Sequence, residues 1–148
     1  MASIVVILFL IFLGAHFQIS QCDGDILKAE LLLRLSGCHE KEGVSMEVAL
    51  EHSSMDLNLT HYHELVEKNP KIKCVMSCTF KFMNLMDGCS VILDSKLKHL
   101  VNNESAKKTF IALENCESSI TETDPCECAY QVDTCVRKEF KKEKENKE

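Results

Sequence analysis

Residues 73–78 read Lys-Cys-Val-Met-Ser-Cys, and residues 126–135 read Cys-Glu-Cys-Ala-Tyr-Gln-Val-Asp-Thr-Cys. Apolar residues around both stretches recur at every third or fourth position, a period that predicts helices. Cys74 and Cys78 then share one helical face, but their side chains are badly placed to bond each other. Each must bond a cysteine elsewhere, so the spacing predicts a helix that is tied to two other elements at adjacent turns.

The rest of the chain has the same helical period and shows no β pattern of any length. We expect helices to end at Gly37, at Asn69-Pro70 and at Met86-Asp87-Gly88. The clearest start is at Asp124-Pro125, where Asp124 can cap the helix and Glu127 occupies the capping-box position. The predicted helices span approximately residues 25–36, 45–52, 60–69, 71–86, 94–101, 105–117 and 124–140.

An uncharged apolar run occupies residues 4–13. It is shorter than the ~20 residues of a membrane-spanning helix and lies where the apolar part of a secretory signal belongs. We therefore predict that residues 1–22 are a signal peptide, with the cleavage point left open between 15 and 22, and that the protein is secreted; a retained membrane anchor is the alternative. Residues 23–140 would form one domain, and the polar residues 141–148 a charged, flexible tail.

The chain contains nine cysteines. Because the secretory pathway is oxidising, cysteines at this density are expected to form disulfides rather than metal or redox sites. Six are the strongest candidates, but six cysteines allow fifteen pairings, and spacing alone does not choose among them. These six are Cys38, Cys74, Cys78, Cys116, Cys126 and Cys135. Asn58 and Asn103 begin Asn-x-Ser/Thr sequences and are candidates for glycosylation.

The array Cys38, Cys74-x3-Cys78, Cys116 and Cys126-x8-Cys135 resembles the six-cysteine signature of insect odorant-binding proteins, also called pheromone-binding or general odorant-binding proteins. The resemblance covers nearly the whole mature chain and includes residues 84–88 and 126–130. The long stretch between Cys38 and Cys74 is similar to that of members known from ants. The resemblance implies an all-α fold of six helices, stapled by disulfides around an internal hydrophobic cavity.

It also implies three bridges, Cys38 to Cys78, Cys74 to Cys126 and Cys116 to Cys135. Two further cysteines, Cys89 and Cys128, depart from the family pattern. Cys89 follows the end of the predicted 71–86 helix. Cys128 comes two residues after Cys126, and the implied partner of Cys126 is Cys74, near the start of the same helix. A separation of roughly 15 to 20 Å, at ~1.5 Å per residue, argues against easy pairing, so the state of Cys22, Cys89 and Cys128 is left open.

The function implied by the resemblance is that of an extracellular carrier, not an enzyme, which binds a small hydrophobic molecule such as a volatile, an alcohol, an ester or a fatty acid. No cofactor or metal is expected, and a net charge of −6 disfavours nucleic acid. A membrane receptor and a homodimer are left open as partners. The expected pocket residues are Leu31, Leu35, Met46, Leu50, Met55, Leu57, Tyr62, Met76, Phe80, Met83, Leu97, Leu100, Phe110, Leu113, Tyr130, Val132 and Val136.

Three other functions compete with the carrier. A secreted phospholipase needs a Cys-Cys-x-x-His-Asp helix and a Gly-rich calcium loop, which the sequence lacks. A metal site at His61-Tyr62-His63 or Cys126-Glu127-Cys128 is disfavoured because alternate helical residues point to different sides. A helical interaction protein, such as a venom or signalling component that acts through its surface, remains the alternative.

Two features bear on ligand release. Protonation of histidines as the pH falls could loosen the fold and free the ligand near an acidic membrane surface. These histidines are His39, His52, His61, His63 and His99. In moth relatives an apolar C-terminal segment enters the pocket, but here the charged tail could do so only by burying many charges. We therefore predict no tail-insertion switch.

Overall fold

The computed structural model describes residues 21–54, 58–92 and 104–145. Its helices are α1 (Gln21–Ser36), α2 (Cys38–Glu42), α3 (Met46–Ser53), α4 (Leu59–Lys68), α5 (Ile72–Phe82), α6 (Glu104–Cys116) and α7 (Pro125–Glu145). The mostly helical, disulfide-stapled class predicted from sequence is confirmed. Within these ranges, no helix combines the length and the apolar character needed to cross a membrane. The signal peptide and the helix expected at 94–101 fall outside the described residues.

Helix starts follow the capping residues of the sequence. Ser45 accepts a hydrogen bond from the backbone N–H of Val48 at the start of α3. Asp124 accepts from the N–H groups of Cys126 and Glu127 at the start of α7, which confirms it as the cap. These side chains satisfy N–H groups that the first turn of a helix leaves without partners.

One short helix was missed. α2 covers only Cys38–Glu42, and both flanking glycines, Gly37 and Gly43, have positive φ values of 61° and 68°. Five residues are too few to show a helical period, whereas glycine adopts this left-handed backbone without strain. Within the described residues the structure therefore has seven helices where the helical pattern predicted six, and Cys38 is held in a tight connection between α1 and α3.

Helix α5 ends at Phe82, four residues before the predicted end at Met86. Asn84 has a φ of 56°, the N–H of Leu85 donates to the carbonyl of Phe80, and the N–H of Asn84 donates to that of Lys81. This is the Schellman pattern, in which one left-handed residue closes a helix. Asparagine tolerates that conformation better than most residues do, so Asn84 was the stop signal in the sequence.

A short hairpin follows α5, so the expectation of no β structure is wrong at this point. Strand β1 (Met86–Asp87) pairs antiparallel with β2 (Ser90–Val91), with Met86 opposite Val91. The chain turns back at Asn84, so that β1 lies against α5, and Cys89, in the turn between the two strands, is bonded to Cys128 with a Cα–Cα distance of 5.3 Å. The length argument against this pair failed because it assumed that the chain continues away from the end of the helix.

Four disulfides therefore join the described elements, three between helices and one between the hairpin and α7. Cys38 bonds Cys78, Cys74 bonds Cys126, and Cys116 bonds Cys135, which are the pairs that the resemblance implied. The fourth joins Cys89 to Cys128. Since Cys126 and Cys128 lie in the first turn of α7, two adjacent bridges hold both ends of the segment 74–89 against one end of that helix.

The last helix continues past the expected boundary at Phe140. α7 extends to Glu145, so residues 141–145, expected as part of a flexible tail, are helical. Lys142 pairs with Glu139 at 2.8 Å and Lys141 lies 3.9 Å from Glu145. Such pairs, three or four positions apart, support an exposed helix, and a charged composition alone does not distinguish such a helix from a frayed tail.

The buried apolar side chains form two clusters. The first core joins the end of α1, the helices α2 to α5 and one face of α7; its buried members are Leu33, Cys38, Val44, Ala49, Tyr62, Leu65, Val66, Ile72, Val75, Met76 and Ala129. The second core joins the hairpin, α6 and another face of α7; its buried members are Met86, Val91, Ala112, Leu113, Cys116, Cys128, Val132 and Val136.

Candidate ligand-binding site

Helix α7 contributes to both cores through two adjacent stripes of side chains. Cys128, Val132 and Val136 are buried in the second core. The stripe of Ala129, Asp133 and Arg137 lies one residue further along and faces the first core, where Ala129 is fully buried. Residues four apart lie on one helical face, and a step of one residue rotates that face by about 100°. One helix therefore forms the partition between the two cores.

Phe80 of α5 is the side chain that packs against both cores. It is only partly buried, in contrast to Met76 one turn earlier, which is 5 % exposed. Other apolar side chains expected to line a pocket are half-buried as well. These are Leu31, Met46, Leu50, Met83 and Phe110. The junction of the two cores at Phe80, which we call the seam, therefore contains an aromatic ring that the described structure does not fully enclose.

A buried polar network lies beside the first core. The Tyr62 hydroxyl donates to Asp133 Oδ2 at 2.6 Å, and Arg137 Nε donates to the same oxygen at 2.8 Å. The Arg137 guanidinium also lies over the Tyr62 ring, 4.3 Å from its centroid. Burial, reinforced by the neighbouring Asp133 carboxylate, raises the pKa of the Tyr62 phenol well above its usual value. Tyr62 therefore stays protonated as a donor to Asp133.

Arg137 extends this network to the loop after α3. Its two terminal nitrogens donate to the carbonyls of His52 and Ser54, at 2.6 and 2.7 Å. Three donors of one planar guanidinium are thus used, and its side chain is only 4 % exposed. A buried arginine is tolerated when its charge is paired and its N–H groups are satisfied, as they are here.

His52 lies within the same network but carries no charge at neutral pH. Burial is the main cause that lowers the pKa of His52 to about 4. The nearby Asp133 carboxylate acts in the opposite direction, and the Arg137 guanidinium lowers the pKa further but by a smaller amount. Its Nε2 is 3.8 Å from Asp133 Oδ2, too far for a hydrogen bond, and is buried without a partner. Protonating this ring would place a new charge in a region with little access to water.

Tyr130 borders the first core next to Tyr62, and the two rings stack with centroids 5.9 Å apart. Its hydroxyl lies 2.6 Å from His63 Nδ1, and the ammonium group of Lys73 lies 4.8 Å from its ring centroid. Burial raises the pKa of the Tyr130 phenol. Lys73 in turn donates to the Glu127 carboxylate at 2.8 Å, so Glu127 pairs with α5 instead of forming the expected capping box.

An open cleft of about 390 Å³ lies on the outer side of this tyrosine. It is lined by His63 and Tyr130, the turn at Ser119 and the polar face of α7 around Lys138 and Glu139. A smaller cleft of about 200 Å³ lies between α6 and the end of α7, beside Ile111 and Phe140. Of the described residues that the sequence singled out for the pocket, Tyr130 lines the larger cleft and none lines the smaller one.

The structure separates the seventeen expected pocket residues into several groups. Tyr62 and Met76 are buried in the first core, with Met46, Leu50, Phe80 and Tyr130 packed against it. Leu113, Val132 and Val136 are buried in the second core. Leu31, Met83 and Phe110 are half-buried. Met55, Leu57, Leu97 and Leu100 lie outside the described residues.

Two of these residues are placed differently from the expectation. Leu35 is 49 % exposed, and Leu33, not on the list, is the buried leucine of that turn at 3 %. The run Leu31-Leu32-Leu33 is apolar all round, so periodicity could not tell which leucine faces inward. Tyr62, expected to line the pocket, is buried and its hydroxyl donates to Asp133.

The polar network itself was missed at the sequence level. Asp133 and Arg137 stand four positions apart on a helix rich in charges, the spacing of an ordinary exposed pair. The exposed pair Glu30 and Arg34 on α1 has the same spacing and a similar distance, 2.7 Å. Nothing in the local sequence distinguishes the buried pair from the exposed one, because burial depends on which helices pack against that face.

The histidines and cysteines considered for a metal site have other partners. His61 pairs with Glu51 at 2.9 Å and His63 with Tyr130, while Cys126 and Cys128 are both in disulfides. In the ranges 21–54, 58–92 and 104–145 no group of three or more His, Cys, Asp or Glu side chains could hold a metal ion. His99 lies outside those ranges.

Comparison with known protein families agrees with this architecture. The PBP/GOBP family pattern matches residues 24–139, which is most of the chain and includes all eight bridged cysteines. Comparisons with curated proteins and with solved structures find no match. The likeness to ant members, inferred from the long stretch before Cys74, stays a prediction. The chain belongs to the PBP/GOBP family, the insect odorant- and pheromone-binding proteins.

Proposed function

We propose that this protein is a secreted extracellular carrier that holds one small hydrophobic molecule at the seam around Phe80. The family consists of carriers of small hydrophobic ligands, not enzymes. The observation that carries the location is that the core is divided in two, with Phe80 packed against both parts. A domain of this size usually has a single filled core, so a divided one with a half-buried aromatic ring at its junction is a candidate cavity.

The chemistry of the seam favours a neutral or weakly polar ligand. Phe80 is apolar, as are Met46 and Leu50, which pack with it against the first core, and methionine adapts to irregular shapes. The nearest buried charges, Asp133 and Arg137, already bind each other and Tyr62. A long-chain alcohol, an ester or a volatile hydrocarbon derivative would bury apolar surface there without displacing an existing ion pair.

The disulfides explain how such a site could exist without collapse. Helix α5, which carries Phe80, is bonded through Cys78 to Cys38 and through Cys74 to Cys126. Each bridge stabilises a domain by roughly 2 to 4 kcal/mol, much of which arises from restriction of the unfolded chain. Covalent ties of this kind replace part of the stability that a completely filled core would supply.

The direct test is a titration of the oxidised protein with an apolar fluorescent probe at neutral pH, followed by displacement with alcohols, esters and fatty acids. We expect saturable binding of one probe per chain. Absence of binding by correctly folded protein would instead favour the alternative of an interaction protein that acts through its surface.

Two phenylalanines of α5 provide a matched pair for locating the site. Phe80→Leu and Phe80→Ala remove part or all of the side chain that borders both cores, whereas Phe82→Ala removes a ring that is 37 % exposed on the same helix. We expect the Phe80 variants to weaken probe binding by about tenfold, corresponding to ~1.4 kcal/mol, and Phe82→Ala to leave it unchanged. Equal affinities for the Phe80→Leu and Phe82→Ala proteins, both shown to be folded, would move the site away from the seam.

A further inference from the structure

We infer that Asn58 is an N-glycosylation site whose glycan leaves the start of helix α4 intact. The inference rests on the secretion that the proposed function includes. Asn58-Leu59-Thr60 is an Asn-x-Thr acceptor sequence, and both Asn58 and Thr60 are exposed. Helix α4 buries Tyr62, Leu65 and Val66, whereas Asn58 precedes its first residue and is exposed, so a sugar on the Asn58 side chain would displace no core residue.

The two polar atoms of the Asn58 side chain have different roles. Its Oδ1 accepts hydrogen bonds from the backbone N–H groups of Thr60 and His61, at 2.8 and 3.2 Å, and so caps α4. Among the described residues no hydrogen bond uses its Nδ2. The cap needs only the carbonyl oxygen, whereas the modification uses only the nitrogen. Glycosylation and capping are therefore compatible at one residue.

The reaction is the transfer of an oligosaccharide from a lipid diphosphate donor in the secretory pathway. A bond forms between Nδ2 and the anomeric carbon of the first sugar, and the bond from that carbon to the diphosphate oxygen breaks. The lipid diphosphate leaves with the electron pair, and Nδ2 loses one proton. The product is still an amide with a free carbonyl oxygen, so Oδ1 can accept the same two hydrogen bonds after the transfer.

The chain offers a matched set of variants for the test. Thr60→Ala destroys the acceptor sequence but keeps the Asn58 cap, whereas Thr60→Ser keeps both. Asn58→Asp removes the acceptor nitrogen but leaves a carboxylate that can still cap, and Asn58→Ala removes both functions. Asn103→Gln removes the second acceptor sequence, which begins outside the described residues, so any remaining glycan is assigned to Asn58.

The experiment is expression of the full chain in insect cells, with its own first 22 residues, followed by treatment of the secreted protein with a peptide N-glycosidase. We expect the Asn103→Gln protein and its Thr60→Ser derivative to lose mass, with Asn58 converted to Asp in the peptide map. Addition of Thr60→Ala should abolish the mass change yet preserve the unfolding temperature, which Asn58→Ala should lower. A secreted, oxidised protein with unmodified Asn58 overturns this inference alone; a chain that never enters the secretory pathway carries no glycan and overturns the proposed secretion as well.

Discussion

The two cores are held together by different means. The first core includes residues of six helices, contains the bridge Cys38 to Cys78 and is bordered by a buried network of Tyr62, Asp133 and Arg137. The second core is smaller, its buried members carry no titratable side chain, and it contains two disulfides, Cys116 to Cys135 and Cys89 to Cys128. In the described residues both cores are thus tied by disulfides, but the first adds buried polar contacts that need an exact fit, whereas the second compensates for its small size with covalent ties.

The largest effect should come from breaking the polar network. Arg137→Met leaves the Asp133 carboxylate in a buried position and removes the donors to the carbonyls of His52 and Ser54. We expect the free energy of unfolding, measured in urea, to fall by about 3 to 5 kcal/mol. Arg34→Met is the control, because Arg34 forms an equivalent pair with Glu30 but is 64 % exposed, and should cost about 0 to 1 kcal/mol. Similar losses for both variants would mean that Arg137 is not buried.

Removal of the fourth bridge should weaken the second core specifically. The double variant Cys89→Ser and Cys128→Ser is expected to lose about 2 to 4 kcal/mol of unfolding free energy. Both tyrosines border the first core, and the chain has no tryptophan, so tyrosine fluorescence of the native protein should be unchanged. An unchanged free energy of unfolding would show that the bridge does not stabilise the second core. A changed tyrosine spectrum would show that its removal also alters the first core.

Acid should destabilise the first core through His52. Its pKa is about 4 when folded and ordinarily 6.5, so the unfolded chain binds the proton first as the pH falls. Protonation of His52 therefore costs no stability above about pH 6.5, and the free energy of unfolding falls by about 3 kcal/mol as the pH falls from there to about 4. The charged groups that face the ring are Asp133 and Arg137.

Unfolding free energies across this range provide the measurement. His52→Gln should reduce the fall of the unfolding free energy with decreasing pH. His61→Gln should not, since the His61 side chain is 48 % exposed and pairs with Glu51 at the surface. If the unfolding free energy of the His52→Gln protein falls as steeply with decreasing pH, the loss of stability arises from other groups, and the remaining histidines would be tested next.

The smallest effect is expected from the end of α7. The exposed residues Lys141 and Lys142 lie beyond Phe140, which still packs against the second core. A protein truncated after Phe140 should bind the apolar probe as tightly as the full chain, because the removed segment would have to bury charges to reach the seam. A clear loss of affinity would show that the charged end of α7 takes part in binding after all.

Much of the local structure was predictable from short-range patterns. Asp124 and Ser45 cap the helices they precede, and Gly37 ends α1. Asn84 ends α5 in a left-handed conformation, which asparagine tolerates better than most residues, so this stop too was readable from the sequence. These features depend on a few neighbouring residues and on backbone sterics, so they can be recognised without knowledge of the fold.

Short-range patterns predicted most of the helices, the family and the six-cysteine array that carries the resemblance. They did not predict that Cys89 lies beside Cys128, that Asp133 and Arg137 are buried while Glu30 and Arg34 are not, or that Leu33 faces inward while Leu35 is exposed. A cap or a helical period involves residues a few positions apart, whereas burial and disulfide pairing depend on which distant segments pack against a given face.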